Sequence, residues 1–177
     1  MNTALLVIDM INDFLKEGAP LEVPMGREII PNIAKRILEF ESCGWLILFV
    51  NDRHRSKDVE FRYQPTHALY PTDGILPYEK LRSSININSL HNIGYIYKHT
   101  YSGFLDTELE KELRYWGISR IHIAGILTNI CIFVTAVEAQ MRGYETFIYR
   151  DSVAALTQEE NDRALEQLEN VFKVKIL

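Results

Sequence analysis

Three residues able to support nucleophilic chemistry stand just beyond apolar runs of the chain. Asp9 follows Ala4–Ile8, Lys98 follows Ile93–Tyr97, and Cys131 comes shortly after the run Arg120–Ile126. A cysteine reacts as its thiolate, so it needs an acceptor for its proton and a cation to hold the anion. Asp9 can supply the first and Lys98 the second. Cys131 falls in the first turn of a helix expected to open near Thr128, where the helix dipole and free N–H groups are expected to lower the thiol pKa. Each residue alone also has an ordinary reading: a small buried thiol, a turn acid, a solvated lysine. Their joint position past strand ends favours the chemical one.

A second group, Asp52, His54, Glu60 and His67, lies in the polar stretch after the next apolar run, Trp45–Val50. Side chains two apart on an extended segment share a face, so Asp52 and His54 can point at one spot. Mixed imidazole and carboxylate donors suit zinc, manganese or iron. The spacing is equally that of a solvated polar loop.

The elements that would carry these residues follow from periodicity. Short apolar runs alternate with amphipathic stretches, the pattern of an α/β protein. Strands are expected at 4–8, 45–50, 93–97, 120–126, 144–149 and 171–176. Helices are expected from Ile29 to a stop at Gly44, and over 105–116, 128–142 and 158–170. Residues 51–92 carry Pro65, Pro71 and Pro77 with little periodicity and read as a long functional loop. Right-handed crossovers then make a single domain, 1–177, with a doubly wound, six-stranded, mostly parallel sheet and helices on both faces. In such sheets ligands bind beyond the carboxyl ends of the strands, where Asp9, Asp52, His54, Lys98 and Cys131 are placed.

Composition sets outer bounds. The 177 residues are 47% hydrophobic and 24% charged, as in an average globular protein. Nineteen basic against 24 acidic residues give a net charge of −5, with no basic stripe, which argues against a nucleic-acid partner. The longest run without a formal charge, Ile121–Val137, holds His122, Thr128 and Asn129 and is too short and polar to span a bilayer. Two cysteines, Cys43 and Cys131, make no disulfide framework, and a cytoplasmic location is expected.

Several blocks give the chain a resemblance to the isochorismatase-like cysteine hydrolases, and among them to the nicotinamidases. They are Leu5-Leu6-Val7-Ile8-Asp9-Met10-Ile11-Asn12-Asp13-Phe14, Lys98 with Tyr101-Ser102-Gly103-Phe104, Gly125-Ile126-Leu127-Thr128-Asn129-Ile130-Cys131, then Thr135-Ala136 and Arg142-Gly143-Tyr144. The resemblance implies that Asp9, Lys98 and Cys131 form a catalytic triad. It also implies a cis peptide between Ile126 and Leu127 and an oxyanion hole from the N–H groups of Leu127 and Cys131. Phe14 and Tyr101 would wall the pocket. Nicotinamidases carry an Asp-x-His and a later His, some with a Glu seven residues before it. Asp52, His54, Glu60 and His67 match that pattern, so the resemblance implies a divalent metal, zinc first, that holds the ring nitrogen of an amide substrate.

Some positions depart from the pattern. Gln64-Pro65 stands where many relatives have Trp-Pro, Ala68 follows the last metal His in place of Cys, and Asn129 replaces a common Asp. Tyr63 or Phe61 is the expected substitute for the missing ring. These departures keep an N-carbamoyl-amide hydrolase of the same superfamily as an alternative substrate reading, and a non-catalytic ligand-binding member as a further one. The family implies a homodimer or homotetramer. Of the remaining histidines, His122 is expected in the core or an interface, His91 on the surface, and His99, although next to Lys98, outside the pocket lining.

Overall fold

The architecture, taken from a computed structural model that describes residues 2–87 and 90–177, is one six-stranded sheet with helices on both faces. The strands are β1 (Thr3–Ile8), β2 (Leu46–Asp52), β3 (Ile93–Lys98), β4 (Arg120–Ile126), β5 (Glu145–Ala154) and β6 (Lys175–Ile176). Their order is β3-β2-β1-β4-β5-β6, and every pairing is parallel. The helices are α1 (Asn12–Leu15), α2 (Met25–Glu28), α3 (Ile30–Ser42), α4 (Glu79–Ile85), α5 (Leu109–Tyr115), α6 (Phe133–Met141) and α7 (Gln158–Asn170).

The alternation of side chains along a strand explains the two cores. Ala4, Leu6 and Ile8 of β1 face α5, α6 and α7 through Leu109, Leu113, Ala136, Leu165 and Leu168. Leu5 and Val7 face the other way, onto Ile33 and Ile37 of α3 and Leu81 of α4. β1 is buried along its whole length because both of its faces and both of its edges are covered.

The strand order reverses between β1 and β4, with β2 and β3 added on one side and β5 and β6 on the other, so a crevice opens at the carboxyl ends of β1 and β4. Gly125 makes this seam possible. It has φ +123, and a Cβ there would sit 2.1 Å from the Ile8 carbonyl oxygen.

Several boundaries differ from those the sequence suggests. The expected helix 128–142 is a π-helical turn, Thr128–Ile132, followed by α6. The stretch 51–92 is not one loop: it holds the end of β2, two 3-10 turns at Val59–Arg62 and Asp73–Ile75, and α4. β5 runs on to Ala154 through a register shift against β4, whereas β6 is only two residues long. The helix expected over 105–116 starts at Leu109, after an irregular turn in which Asp106 takes φ +53.

Candidate active site

Asp9 leaves β1 with φ +55, a left-handed conformation that Asp tolerates better than most residues. Its backbone N–H still donates to the Val50 carbonyl at 3.1 Å, which keeps it at the strand end. Its carboxylate is buried: Oδ1 accepts from the Asp52 N–H at 2.8 Å, and Oδ2 lies 2.8 Å from the Lys98 ammonium. Register pairs Asp52 with Lys98 across β2 and β3, so the same ammonium also bonds Asp52 Oδ1. Lys98 is fully buried, and its Nζ lies 3.5 Å from Cys131 Sγ. The ends of β1, β2 and β3 and the turn after β4 therefore bring Asp9, Asp52, Lys98 and Cys131 to one point.

Electrostatics in this centre follow from burial and pairing. Burial opposes a charged Lys98, but Asp52 and Asp9 outweigh it and hold the amine well above its ordinary pKa, so it is cationic. Burial, then the Asp52 charge, push Asp9 up to about 6 against the pull of Lys98. Burial would raise Asp52 as well, but Lys98, His54 and His67 override it and keep it ionised far below the ordinary range. The thiol corrects one expectation from sequence. Burial foremost, with Asp9 and Asp52 adding to it, raises Cys131 well above the usual thiol value despite Lys98. The π-helical turn is thus no thiolate site at rest, and the proton must leave to a base.

The Ile126–Leu127 peptide is cis, as the sequence blocks imply. Among the described residues the Leu127 N–H makes no hydrogen bond, while the Leu127 carbonyl accepts from the N–H groups of Ile130 and Ile132 at 3.1 Å each.

The second group converges next to the first. A short bridge pairs His54 with Leu69: the His54 N–H donates to the Ala68 carbonyl at 2.8 Å and the Tyr70 N–H returns to the His54 carbonyl at 2.9 Å. This sets the His54 and His67 rings 4.7 Å apart, centroid to centroid. Nδ1 of His67 donates to the Pro65 carbonyl at 2.8 Å, and Nδ1 of His54 bonds the Asp58 carboxylate at 3.0 Å. Those bonds fix the tautomers and leave both Nε2 atoms with lone pairs facing inward. Both Nε2 atoms are buried without a hydrogen-bond partner. They stand 3.8 Å (His54) and 3.5 Å (His67) from Asp52 Oδ2. Glu60 Oε1 is 3.8 Å from His67 Nε2.

Ligand atoms of Asp52, His54 and His67 thus lie within 4.8 Å of one another. Two unsatisfied imidazole nitrogens with carboxylate oxygens beside them form a donor set that fits a divalent cation. The electrostatics of the cluster agree with that reading. Burial favours neutral rings, yet Asp52 raises both His54 and His67, and burial with the Asp52 charge raises Glu60. The Asp52 charge thus favours positive charge at both rings, as it would favour a cation between them.

A cavity of about 330 Å³ reaches Cys131, Asp52, Glu60 and His67 at its base. Phe14 and Tyr101 line it, with Phe14 5.5 Å from the His67 ring. Gln64 lines it too, but Tyr63 is solvent-exposed, and Phe61 packs against the outer sides of His54 and His67. His99 opens on a separate cavity at the β3 edge. Sequence reasoning missed Asp58, Leu156 and the Pro20–Val23 wall. Asp58 had a signal, since an acid four residues beyond His54 can reach back across a turn; the other contacts are tertiary.

An isochorismatase domain model matches residues 3–176. The chain belongs to the isochorismatase family. A Bacillus subtilis protein described as the uncharacterized isochorismatase family protein PncA is 33% identical over 99% of both chains. The solved structure of a nicotinamidase/pyrazinamidase PncA from Bacillus subtilis superposes with a TM-score of 0.92 at 31% identity, covering 99% of each chain. A Pyrococcus horikoshii pyrazinamidase in complex with zinc gives 0.85 at 32% identity, over 100% of this chain and 99% of that one. An N-carbamoylsarcosine amidase from Thermoplasma acidophilum gives 0.86 at 29% identity, over 99% and 95%. The chain is a hydrolase of this amidase-containing family, close to the PncA proteins. None of its described helices is long and apolar enough to cross a membrane.

Proposed function

We propose that the protein, acting as one domain over 1–177, is a nicotinamidase that converts nicotinamide and water to nicotinate and ammonia. The reading is carried by one juxtaposition: Cys131, held beside Lys98, and Asp52 and His67 of the cluster completed by His54 line a single cavity. Asp52, His54 and His67, with Glu60, would hold a divalent metal, zinc by our assignment, with manganese and iron sharing the donor set. When bound, the metal would supply a Lewis-acid anchor for a heteroatom of the substrate ring.

The chain's own residues account for the covalent steps. Asp9, a carboxylate above about pH 6, takes the thiol proton of Cys131 as Sγ attacks the amide carbonyl. The oxyanion is held by the N–H groups of Leu127 and Cys131. Asp9 returns its proton to the nitrogen, the C–N bond breaks, ammonia leaves and a thioester remains. A water that gives its proton to Asp9 attacks the thioester, releasing the acid and restoring the thiol. Lys98 keeps both anions oriented throughout. Phe14 and Tyr101 flank the planar substrate. We further propose that the protein is cytoplasmic and works as a homodimer or homotetramer.

Gln64 at the cavity wall favours a second reading, an N-carbamoyl-amide hydrolase, because an aromatic stacking partner is absent at that position. Ammonia release separates the two. Chelator-sensitive release from nicotinamide, restored by zinc, manganese or iron, is the expected result. Release only from N-carbamoyl amides, indifferent to chelator, would transfer the assignment to the second reading.

A further inference from the structure

A second cavity, of about 280 Å³, opens at the exposed edge of β3 and has no part in the chemistry above. Arg53 and Arg55 both line it, two apart on the segment that continues β2, with His54 between them forming a wall common to this cavity and the metal cluster. The Arg53 guanidinium lies over two rings, 4.6 Å from the Tyr70 centroid and 4.4 Å from that of Tyr97. These two ring contacts hold the guanidinium in place, and its N–H groups donate in its own plane. Among the described residues neither Arg53 nor Arg55 forms an ion pair through its side chain. His99, also on the lining, adds a third nitrogen donor.

Acids are present at the rim, and they are committed or peripheral. Glu108 pairs with Lys111 at 2.7 Å, Asp106 is exposed, and Asp58, 3.8 Å from His99, is bonded to His54 and the Arg55 N–H. Two unpaired guanidiniums directed into one cavity, one of them pre-oriented by aromatic faces, make a fork suited to a tetrahedral oxyanion. We propose that this cavity is a phosphate-binding site, taking inorganic phosphate or the phosphate of a small ester, and separate from the amide-hydrolysing centre.

The test is calorimetric titration of the metal-loaded protein with inorganic phosphate, adenosine monophosphate and adenosine. Both phosphate-bearing probes are expected to bind, adenosine is not, and affinity should fall as salt rises. Tighter binding of the nucleotide than of phosphate would identify an ester as the ligand; equal binding would identify free phosphate. Replacing both arginines (R53Q/R55Q) should weaken binding by about tenfold or more. R55Q alone, at an exposed position that does not disturb packing, should weaken it by a smaller factor and serves if the double variant does not fold. Absence of phosphate and nucleotide binding by the wild type, or binding that R55Q leaves unchanged because the metal centre holds the anion, overturns the proposal.

Discussion

Burying Cys131 against Lys98 costs a thiolate its hydration and gives it one cationic neighbour in exchange. Burial and the two carboxylates win, so the resting sulfur is protonated. That makes Asp9 indispensable, because without a base the sulfur has no route to its reactive form. Exchanging Cys131 for Ala should lower kcat by about a thousandfold or more while leaving metal binding and thermal stability near wild type. Turnover within tenfold of wild type would remove Cys131 from the mechanism. At this scale the sequence was informative where a reactive residue ends a hydrophobic run, as Asp9, Lys98 and Cys131 do. It was misleading on the thiol: position near a helix start suggested a lowered pKa, whereas desolvation is a property of everything packed around the sulfur. Asp58 and Leu156 act through contacts that no spacing along the chain reveals except the short reach from Asp58 back to His54.

Elements enter through the seam between β1 and β4. Because Gly125 touches the Ile8 carbonyl and adopts a positive φ, Gly125→Ala forces the two strands apart and adds backbone strain, at a cost of about 3 kcal/mol or more. Denaturant unfolding should register that loss, and a variant as stable as wild type would mean the seam is looser than the 2.1 Å approach implies. β4 also carries His122, stacked on Phe147 at 4.5 Å and edge-on to Phe40 at 5.2 Å. Burial, then the Arg120 charge, depress its pKa to about 4. The folded state therefore binds fewer protons than the unfolded one between pH 4 and the ordinary histidine value, and stability from this residue is lost as pH falls through that window. His122→Phe should flatten the acid side of the stability–pH curve; an unchanged slope would rule out His122 as its source. The strands were legible because β1, β2 and β4 each hold a run of mostly apolar residues, as buried parallel strands do. α4 was not, since its apolar signal is only Leu81 and Ile85, and the π-helical turn was not, since its residues share the apolar character of the helix that follows.

Across the whole molecule, the proposed metal does more than present a substrate. Asp52 belongs to β2, whereas His54, Glu60 and His67 lie on the segment 53–72, which the His54–Leu69 bridge closes on itself and which backbone N–H groups tie to the rest of the fold through Arg53 to the Lys98 carbonyl at 3.0 Å and Ala68 to the Asp13 carboxylate at 2.7 Å. A ligand that binds only the folded state stabilises it by RT ln(1 + [L]/Kd), about 2.7 kcal/mol at a hundredfold excess over Kd. Zinc should therefore raise the melting temperature of chelator-treated protein, and hydrogen exchange should slow most in 53–72, since that is the part the metal would pin. His67→Ala removes a ligand and leaves Phe14 without its ring partner, so this variant should melt lower and lose the zinc-dependent shift. His91→Ala, at an exposed histidine paired with Glu41, should keep it. A zinc shift of equal size in the His67 variant would show that the cation binds elsewhere, and the juxtaposition that supports the amidase reading would then have to be explained without a metal.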